Sequence, residues 1–571
     1  MKNLEIAGIF NEIADMLEMA GENRFRIQAY SRAAQSLEAL SEDLEEMARR
    51  DQLREIPGIG QDLASKIKEF LATGRVEAYE KIKKETPQVL LDMIAIPGIG
   101  PKTAKRLFEE LDIRDIEDLE KKARSHKISG LAGMKEKTEE NILKGIDFLK
   151  KNKGKILLPV ALSAAEAVIG RLEKLKEVER VSYAGSLRRM KETERDIDIL
   201  VISASPSKVA DAFTSLPEVK EVLAHGVTRS SIITKDDLQV DLRVMERGHF
   251  GAAMVYFTGS KAHNIRLRKL AIAKGLKVSE YGVFKNKGAK RIAGKTEEDV
   301  YKALGMAYVP PEMREDTGEV EAALRGSLPD LVKLKDIKGD FHVHSDWSDG
   351  VSTLGEMASA AKAKGYEYVV ITDHSKSLKI ANGLSVKRRW EQIEKIRKLN
   401  KTLKGIELLA GVEVDIADDG SLDYSDDILK ELDLVIAAIH SGFTQSRDKL
   451  TRRTVAAMNN KYVNMIAHPT GRLLGTRQGY EIDIEEVLKA ALDTNTAIEV
   501  NSNPERLDLA DINCRRAKEL GVRIALTTDA HITDSLDYMF YGVSVARRGW
   551  LEKKDVLNCL SWSKVKKSLK Q

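Results

Sequence analysis

Six histidines constrain the fold of the C-terminal part of the chain. His342, His344, His374, His440, His468 and His531 each follow or end an apolar run: DFHVHSDWSDG, YVVITDHS, LVIAAIHS, VNMIAHPTG and RIALTTDAH. Two further runs, ELLAGVEVD and AIEVNSN, carry Glu413 and Asn501 instead. Seven strand-like segments separated by helix-like stretches predict repeated βα units and a parallel sheet or barrel. Active sites of βα barrels sit at the C-terminal ends of the strands, where all six histidines fall. A lone histidine there is most often a packing or capping group. Six of them, with Asp349, Glu413 and Asp529 in equivalent places, point to metal. Imidazole and carboxylate without thiolate suit Zn, Mn or Fe. Nine ligands are too many for one ion, so two or three are expected.

The N-terminal region carries a repeat. Ile56-Pro57-Gly58-Ile59-Gly60 and Ile96-Pro97-Gly98-Ile99-Gly100 each precede a cationic helical run (Lys66, Lys68; Lys102, Lys105, Arg106). A decayed third copy is Leu131-Ala132-Gly133-Met134, with Lys135 next. The glycines allow positive φ and close backbone approach. The following helix offers unpaired N–H groups and its positive dipole end. Gly58, Gly60, Gly98, Gly100 and Lys102 are thus expected to grip a DNA phosphate without reading a base.

The 571 residues suffice for three to four domains. With 42% hydrophobic and 32% charged residues, long disorder is excluded. Two cysteines exclude a disulfide framework. A net charge of +4 permits an anionic partner. The first 25 residues read as an amphipathic helix and not a secretory signal. No apolar run reaches the roughly 18 residues of a membrane span, so a cytoplasmic protein without membrane contact is expected.

Residues 181–202 read VSYAGSLRRMKETERDIDILVI. On a strand, Asp196 and Asp198 face the same side. A second strand, Leu238 to Val244, offers Asp241 on its polar face. If the strands pair, three carboxylates converge, and they repel unless hard cations sit between them. That suits two Mg²⁺ or Mn²⁺ ions clamping a phosphoryl transfer. The preceding Gly185-Ser186-Leu187-Arg188-Arg189 supplies a backbone N–H, a hydroxyl and guanidinium groups for a triphosphate.

Gly-Ser, then Asp-x-Asp, then a third Asp resembles the nucleotidyltransferase superfamily. Tyr256-Phe257-Thr258-Gly259-Ser260, with Asn264 and Arg268, is similar to the nucleotide pocket of family X DNA polymerases, the family of polymerase beta. The N-terminal repeats resemble helix-hairpin-helix motifs. The histidine segments resemble a polymerase-and-histidinol-phosphatase (PHP) domain with all nine ligand positions filled.

The resemblance implies roles. Asp196, Asp198 and Asp241 would hold metal, Asp241 also activating the primer 3′-OH. Gly185, Ser186 and Arg189 would hold the triphosphate. Tyr256 and Phe257 would pack beside the sugar, with Gly259 in the same segment. Asn264 would meet the base edge and Arg268 the template side. Arg24, Arg26 and Lys66 are candidates for a downstream 5′-phosphate. Lys66 also matches a lyase nucleophile, although Asp62 nearby disfavours that chemistry and a phosphate-contacting lysine is the favoured reading. His342, His344, Asp349, His374, Glu413, His440, His468, Asp529 and His531 would form the second metal site. Apart from the resemblance, Arg472, Asn503 and Arg506 fall on the same face and read either as contacts to substrate phosphate or as ordinary solvated loop residues.

The expected organisation is multidomain. Residues 1–85 form a helical DNA-binding domain with helix-hairpin-helix, and 86–152 a second such region. Residues 153–248 form an α+β nucleotidyltransferase palm and 249–315 a thumb-like subdomain. Residues 316–335 form a linker, overlapping a proline-rich stretch from 309 to 330, and 336–571 a distorted α/β (βα)7-type barrel. The implied function is short-gap DNA repair synthesis with 3′→5′ exonuclease, and possible 3′-phosphatase or abasic-site endonuclease, activity. Gapped or primed DNA and deoxynucleoside triphosphates are the expected partners of a monomer. Two other readings are a small-molecule phosphatase tethered to DNA and a non-catalytic DNA-bridging scaffold.

Overall fold

The computed structural model describes residues 2–38, 44–56, 58–96, 99–152, 154–286 and 290–570. It contains two compact units, one running to about residue 153 and one from Gly154 onward. Among the described residues no helix is long and apolar enough to cross a membrane.

The first unit is helical. Its core gathers apolar residues from along the whole unit, among them Phe10, Ile13, Leu37, Ile67, Ile96 and Leu107. All three repeat copies close in the same way. The N–H of Ile59 bonds the carbonyl of Ile56, Ile99 that of Ile96, and Met134 that of Leu131, each at 3.0 Å. Gly60 and Gly100 cap helices Gln61–Thr73 and Pro101–Leu111. Helix Glu136–Asn152 follows the third copy. Ile56, Ile59, Ile96, Ile99 and Met134 are buried and Leu131 is half-buried, while Gly58, Ala132 and Gly133 are exposed.

The second unit begins with a five-stranded sheet: β1 (Arg180–Tyr183), β2 (Asp196–Ile202), β3 (Val219–His225), β4 (Arg229–Thr234) and β5 (Gln239–Met245), in the order β1-β2-β5-β4-β3. The β2–β5 pair is parallel and the others antiparallel. Strand alternation sorts the residues. Ile197, Ile199, Val201, Val240, Leu242 and Val244 join the core that includes helices Leu158–Leu172 and Pro206–Thr214. The aspartates alternate with them and take the other face. Helices Phe250–Thr258 and Lys261–Ala273, a three-stranded antiparallel sheet and helix Glu297–Ala303 come next.

The stretch expected as a linker is packed. Helix Glu319–Arg325 lies within it, and Val309, Met313, Val320, Ala323 and Leu331 join the core of the preceding subdomain. Arg314 is fully buried, with Nε donating to the Val309 carbonyl (2.9 Å) and Nη1 to Glu297 (2.8 Å). The prolines shape a short 3-10 turn at Pro311–Met313.

Seven parallel strands form the C-terminal barrel: β6 (Gly339–Val343), β7 (Tyr368–Ile371), β8 (Glu407–Asp415), β9 (Leu434–Ala438), β10 (Met465–Ile466), β11 (Ala497–Asn501) and β12 (Ile524–Thr527). They pair in sequence order, and a parallel bridge from Val343 to Ala530 brings the first edge to the last. Phe341, Tyr368, Leu409, Ile436 and Met465 share one core with Trp562 and Val565 of the last helix. This is the (βα)7-type barrel that the alternating runs predicted.

Candidate active sites

The first site sits on the face of β2 and β5 opposite the one that packs on helices Leu158–Leu172 and Pro206–Thr214. Asp198 and Asp241 are register partners across the parallel pair, and Asp196 faces the same side two residues earlier. Asp241 is oriented by Ser231 on β4, whose hydroxyl donates at 2.5 Å, and by Gln239 at 3.1 Å. Burial, then the charges of Asp196 and Asp241, push the Asp198 carboxyl up to about 6. Burial and Asp241 also raise Asp196. Mutually elevated carboxylates fit hard divalent cations, which relieve both desolvation and repulsion.

The Gly-Ser turn lies against these acids. Gly185 has φ +61, and a Cβ built there would stand 2.4 Å from Asp198 Oδ2, so only glycine fits. Ser186 donates its hydroxyl to Glu194. Glu194 is 1% exposed. Burial lifts its carboxyl to about 7, although the Ser186 bond and Arg189 pull the other way. Arg189 is buried; its Nη1 meets the Thr258 carbonyl and its Nε donates to Glu315 at 3.0 Å. Arg188 forms a fork to Glu297, with one nitrogen also on Thr258 Oγ1 at 2.8 Å.

These contacts join the acidic sheet to the segment 256–268. The Tyr256 and Phe257 rings meet edge to face at 5.2 Å, and the Arg243 guanidinium lies 5.3 Å from the Phe257 ring. Asn264 donates to the Tyr256 carbonyl at 2.6 Å. Arg268, one turn further on the same helix, donates to the Asn264 carbonyl at 3.3 Å. Tyr256 and Arg268 line a cleft of about 430 Å³ with Ile272 and Tyr281. Gly259 carries φ +63 and approaches both Arg189 and Asn264. Glu194, Glu297 and Glu315 were not anticipated. Of these, only Glu194 had a sequence signal, as the acid two residues before Asp196.

The second site lies at the C-terminal ends of the barrel strands. Three groups of donor atoms each gather within 4.8 Å: His344, Asp349, His374 and His531; His342, His344 and Asp529; His374, Glu413 and His440. Glu413 reaches His374 (2.9 Å), His440 (3.1 Å), His468 (2.9 Å), His342 (3.4 Å) and His344 (3.6 Å). Asp529 Oδ1 lies 3.1 Å from His344 Nε2 and 3.6 Å from His342 Nε2. The Nε2 atoms of His342 and His344 are themselves 3.1 Å apart. So many buried nitrogens and oxygens converging at these distances fit shared divalent cations. Burial alone would raise Glu413, but His374, His440 and His342 hold it well below the usual carboxylate range. His468 and Asp529 take positive φ values of +26 and +52, backbone strain of the kind that clusters at functional sites.

Carboxylates behind the ligands orient them. Glu499 accepts from His342 Nδ1 at 2.6 Å and also from the His468 N–H and Thr527. Asp415 meets His440 Nδ1 at 3.3 Å. Sequence reading missed both, although each stands two residues from a recognised polar group on one strand: Glu499 beside Asn501, Asp415 beside Glu413. Arg506 Nε lies 3.7 Å from Asp529 Oδ2. The Asn503 N–H donates to Asn501 Oδ1 at 3.0 Å. Arg472 departs from expectation. Its guanidinium is engaged by Glu192 and by the carbonyls of Arg506 and Leu507, so it is not turned toward a substrate phosphate.

In the helical unit, Gly58 (φ +81), Gly60 and Gly100 are exposed at their turns. Gly98, with Pro57 and Pro97, lies outside the described residues. Lys102 is exposed near Glu18. Arg24 and Arg26 are exposed around Phe25, which is 81% exposed. Lys66 is ion-paired to Asp62.

Family models match in four places. They are a helix-hairpin-helix domain over 1–76, a SAM-like helix-hairpin-helix tandem over 90–147, the DNA polymerase beta thumb over 253–315 and the PHP domain over 340–503. The chain is 40% identical over 573 residues to the DNA polymerase/3′-5′ exonuclease PolX of Bacillus subtilis (strain 168), covering all of both chains. It is 34% identical over 243 residues to a probable phosphatase of Thermoanaerobacter sp. (strain X514), 41% of this chain and 94% of that protein. A probable phosphatase of Acetivibrio thermocellus is 34% identical over 203 residues. The polymerase and PHP parts together imply dependence on divalent metal. The chain belongs to the family X DNA polymerases that carry a C-terminal PHP domain.

Proposed function

We propose that this chain is a DNA polymerase and 3′→5′ exonuclease that fills short gaps during repair. The observation that carries the reading is the side-by-side placement of Asp198 and Asp241, in a chain that also gathers eight groups able to hold metal in a barrel, with His468 beside them on Glu413. Asp196, Asp198 and Asp241 would hold two Mg²⁺ or Mn²⁺ ions, which would supply charge neutralisation for a phosphoryl transfer. Asp241 takes the side of the primer 3′-OH. Ser186 and the Gly185 backbone bind the triphosphate, with Arg189 turning toward it from Glu315. Tyr256 and Phe257 pack against the sugar, Asn264 meets the base edge and Arg268 the template. Gly58, Gly60, Gly98, Gly100 and Lys102 grip the backbone, and Arg24, Arg26 and Lys66 meet the 5′-phosphate. The ion pair with Asp62 favours Lys66 as a phosphate contact over a lyase nucleophile.

In the barrel, His342, His344, Asp349, His374, Glu413, His440, His468, Asp529 and His531 would hold two or three Zn²⁺, Mn²⁺ or Fe ions, which would supply activation of water for attack on a phosphoester. Arg506 draws the substrate phosphate in beside Asp529. The match of 41% of this chain to a probable phosphatase supports extending the reading to 3′-phosphate removal. A monomer working in the cytoplasm completes the proposal. The test uses one-nucleotide gapped DNA with free and with 3′-phosphate-blocked primers, in Mg²⁺ and in Mn²⁺. Extension of the free primer, and of the blocked primer only after trimming, is expected. Failure to extend a free primer in either metal overturns the proposal.

A further inference from the structure

Two arginines of the barrel half grip the loop that leads from the Gly-Ser turn to the acidic strand β2. Arg548, 8% exposed, donates from Nη1 to the Arg189 carbonyl at 2.7 Å and to Glu315 at 3.1 Å. Arg472 holds the other end, its two terminal nitrogens on the two oxygens of Glu192, one of them at 3.2 Å. Between the grips Met190 has φ +53, a conformation that costs a side-chain-bearing residue and persists where its surroundings hold it. The loop is continuous with the nucleotide groups: the Lys191 N–H bonds the Ser186 carbonyl at 3.3 Å.

Arg472 also faces the other way. Its Nε donates to the Arg506 carbonyl at 2.9 Å, and a terminal nitrogen meets the Leu507 carbonyl. Leu507 is itself left-handed, at φ +42. This second loop carries Arg506, whose side chain reaches Asp529. It also carries Asp508, whose carbonyl accepts from the Asn501 N–H. Asn501 in turn donates to Asp529 Oδ2 at 3.0 Å. One planar guanidinium thus supports a strained loop at each site, which the point charge of a lysine cannot do.

We propose that Arg472 is a positioning residue shared by both reactions: its ion pair with Glu192 sets the nucleotide loop, while its bonds to the 506–507 carbonyls set the loop beside Asp529. The proposal rests on the polymerase–exonuclease reading above. Its distinctive consequence is that Glu192, a residue of the polymerase half, influences trimming.

The test uses full-length wild type, Glu192→Gln, Arg472→Gln, Arg472→Lys and the double variant E192Q/R472Q. Each is measured for kcat and KM of a deoxynucleoside triphosphate on a one-nucleotide gap in Mg²⁺, for 3′-end trimming in Mn²⁺, and for metal bound per chain. Glu192→Gln is expected to raise the nucleotide KM about fivefold with kcat within about twofold, and to slow trimming about fivefold. Bound metal stays at the wild-type level. Arg472→Gln does both, Arg472→Lys recovers neither, and the double variant is no worse than Arg472→Gln. Trimming at wild-type rate in Glu192→Gln, or additive losses in the double variant, would overturn the proposal. Should Arg472→Gln fail to fold, Glu192→Gln decides, because Glu192 is a partly exposed loop residue. A wild type that neither extends nor trims overturns the functional reading and this proposal with it. An active wild type with indifferent variants overturns this proposal alone.

Discussion

Gly185 and Asp198 are so close that a methyl group on the glycine would stand 2.4 Å from the aspartate's Oδ2. The contact ties the turn that offers Ser186 to the strand that offers the acids. It also explains why this turn takes a residue at φ +61 without a side chain.

Gly185→Ala therefore acts through Asp198. The left-handed backbone costs on the order of 1–3 kcal/mol, and the new Cβ pushes the carboxylate out of register with Asp241. Gap filling is expected to fall by about 10²- to 10³-fold while 3′-end trimming stays near wild type. Steady-state extension and trimming assays on one preparation check this, with thermal unfolding reporting the strain. Extension at wild-type rate would show that the contact is not there.

Glu499 and Asp415 hold ligands rather than metal. Glu499→Gln keeps the shape but weakens the bond to His342 Nδ1, and Asp415→Asn does the same at His440. Each is expected to lower metal affinity in the barrel by roughly 10- to 100-fold. Trimming activity titrated against Mn²⁺ should recover at saturating metal. Gap filling in Mg²⁺ should be unaffected.

The Arg188–Glu297–Arg314 cluster sets an acid limit on stability. Burial would raise Glu297, but the Arg188 hydrogen bonds and the Arg314 charge outweigh it and hold the carboxyl at about 2, against an ordinary value of 4.5. A carboxyl depressed in the folded state contributes stability that is complete above its unfolded value and lost as pH falls through the folded one. The contribution, about 3 kcal/mol, should therefore fade between pH 4.5 and 2. Glu297→Gln, which leaves Arg314 buried without its ion pair, should be destabilised by roughly 3–5 kcal/mol at neutral pH. Its stability should also change less over the acid range. Denaturant unfolding at a series of pH values reads both.

The barrel was legible because each strand is a short apolar run and each run but the one closing on Asn501 ends in a group with metal chemistry. Period-two alternation likewise announced the shared face of Asp196 and Asp198. What stayed hidden depends on distant partners. Glu297 and Glu315 lie on average-looking stretches and gain meaning only where Arg188 and Arg189 reach them. Glu499 sits inside an apolar strand, where a lone acid gives no sign that two histidine segments converge on it. The segment from 309 to 330 read as a linker because of its prolines. Its burial depends on Arg314 finding Glu297, a contact across 17 residues that no local pattern reveals.

The central claim is that one chain carries two separate metal-dependent phosphoryl sites. Its most direct test is a pair of double variants, Asp196→Ala with Asp198→Ala and His342→Ala with His344→Ala, each assayed for gap filling and for 3′-end trimming. The first pair should abolish extension and spare trimming, and the second should do the reverse. Loss of both activities in each pair, or extension at wild-type rate in the first, would contradict the claim.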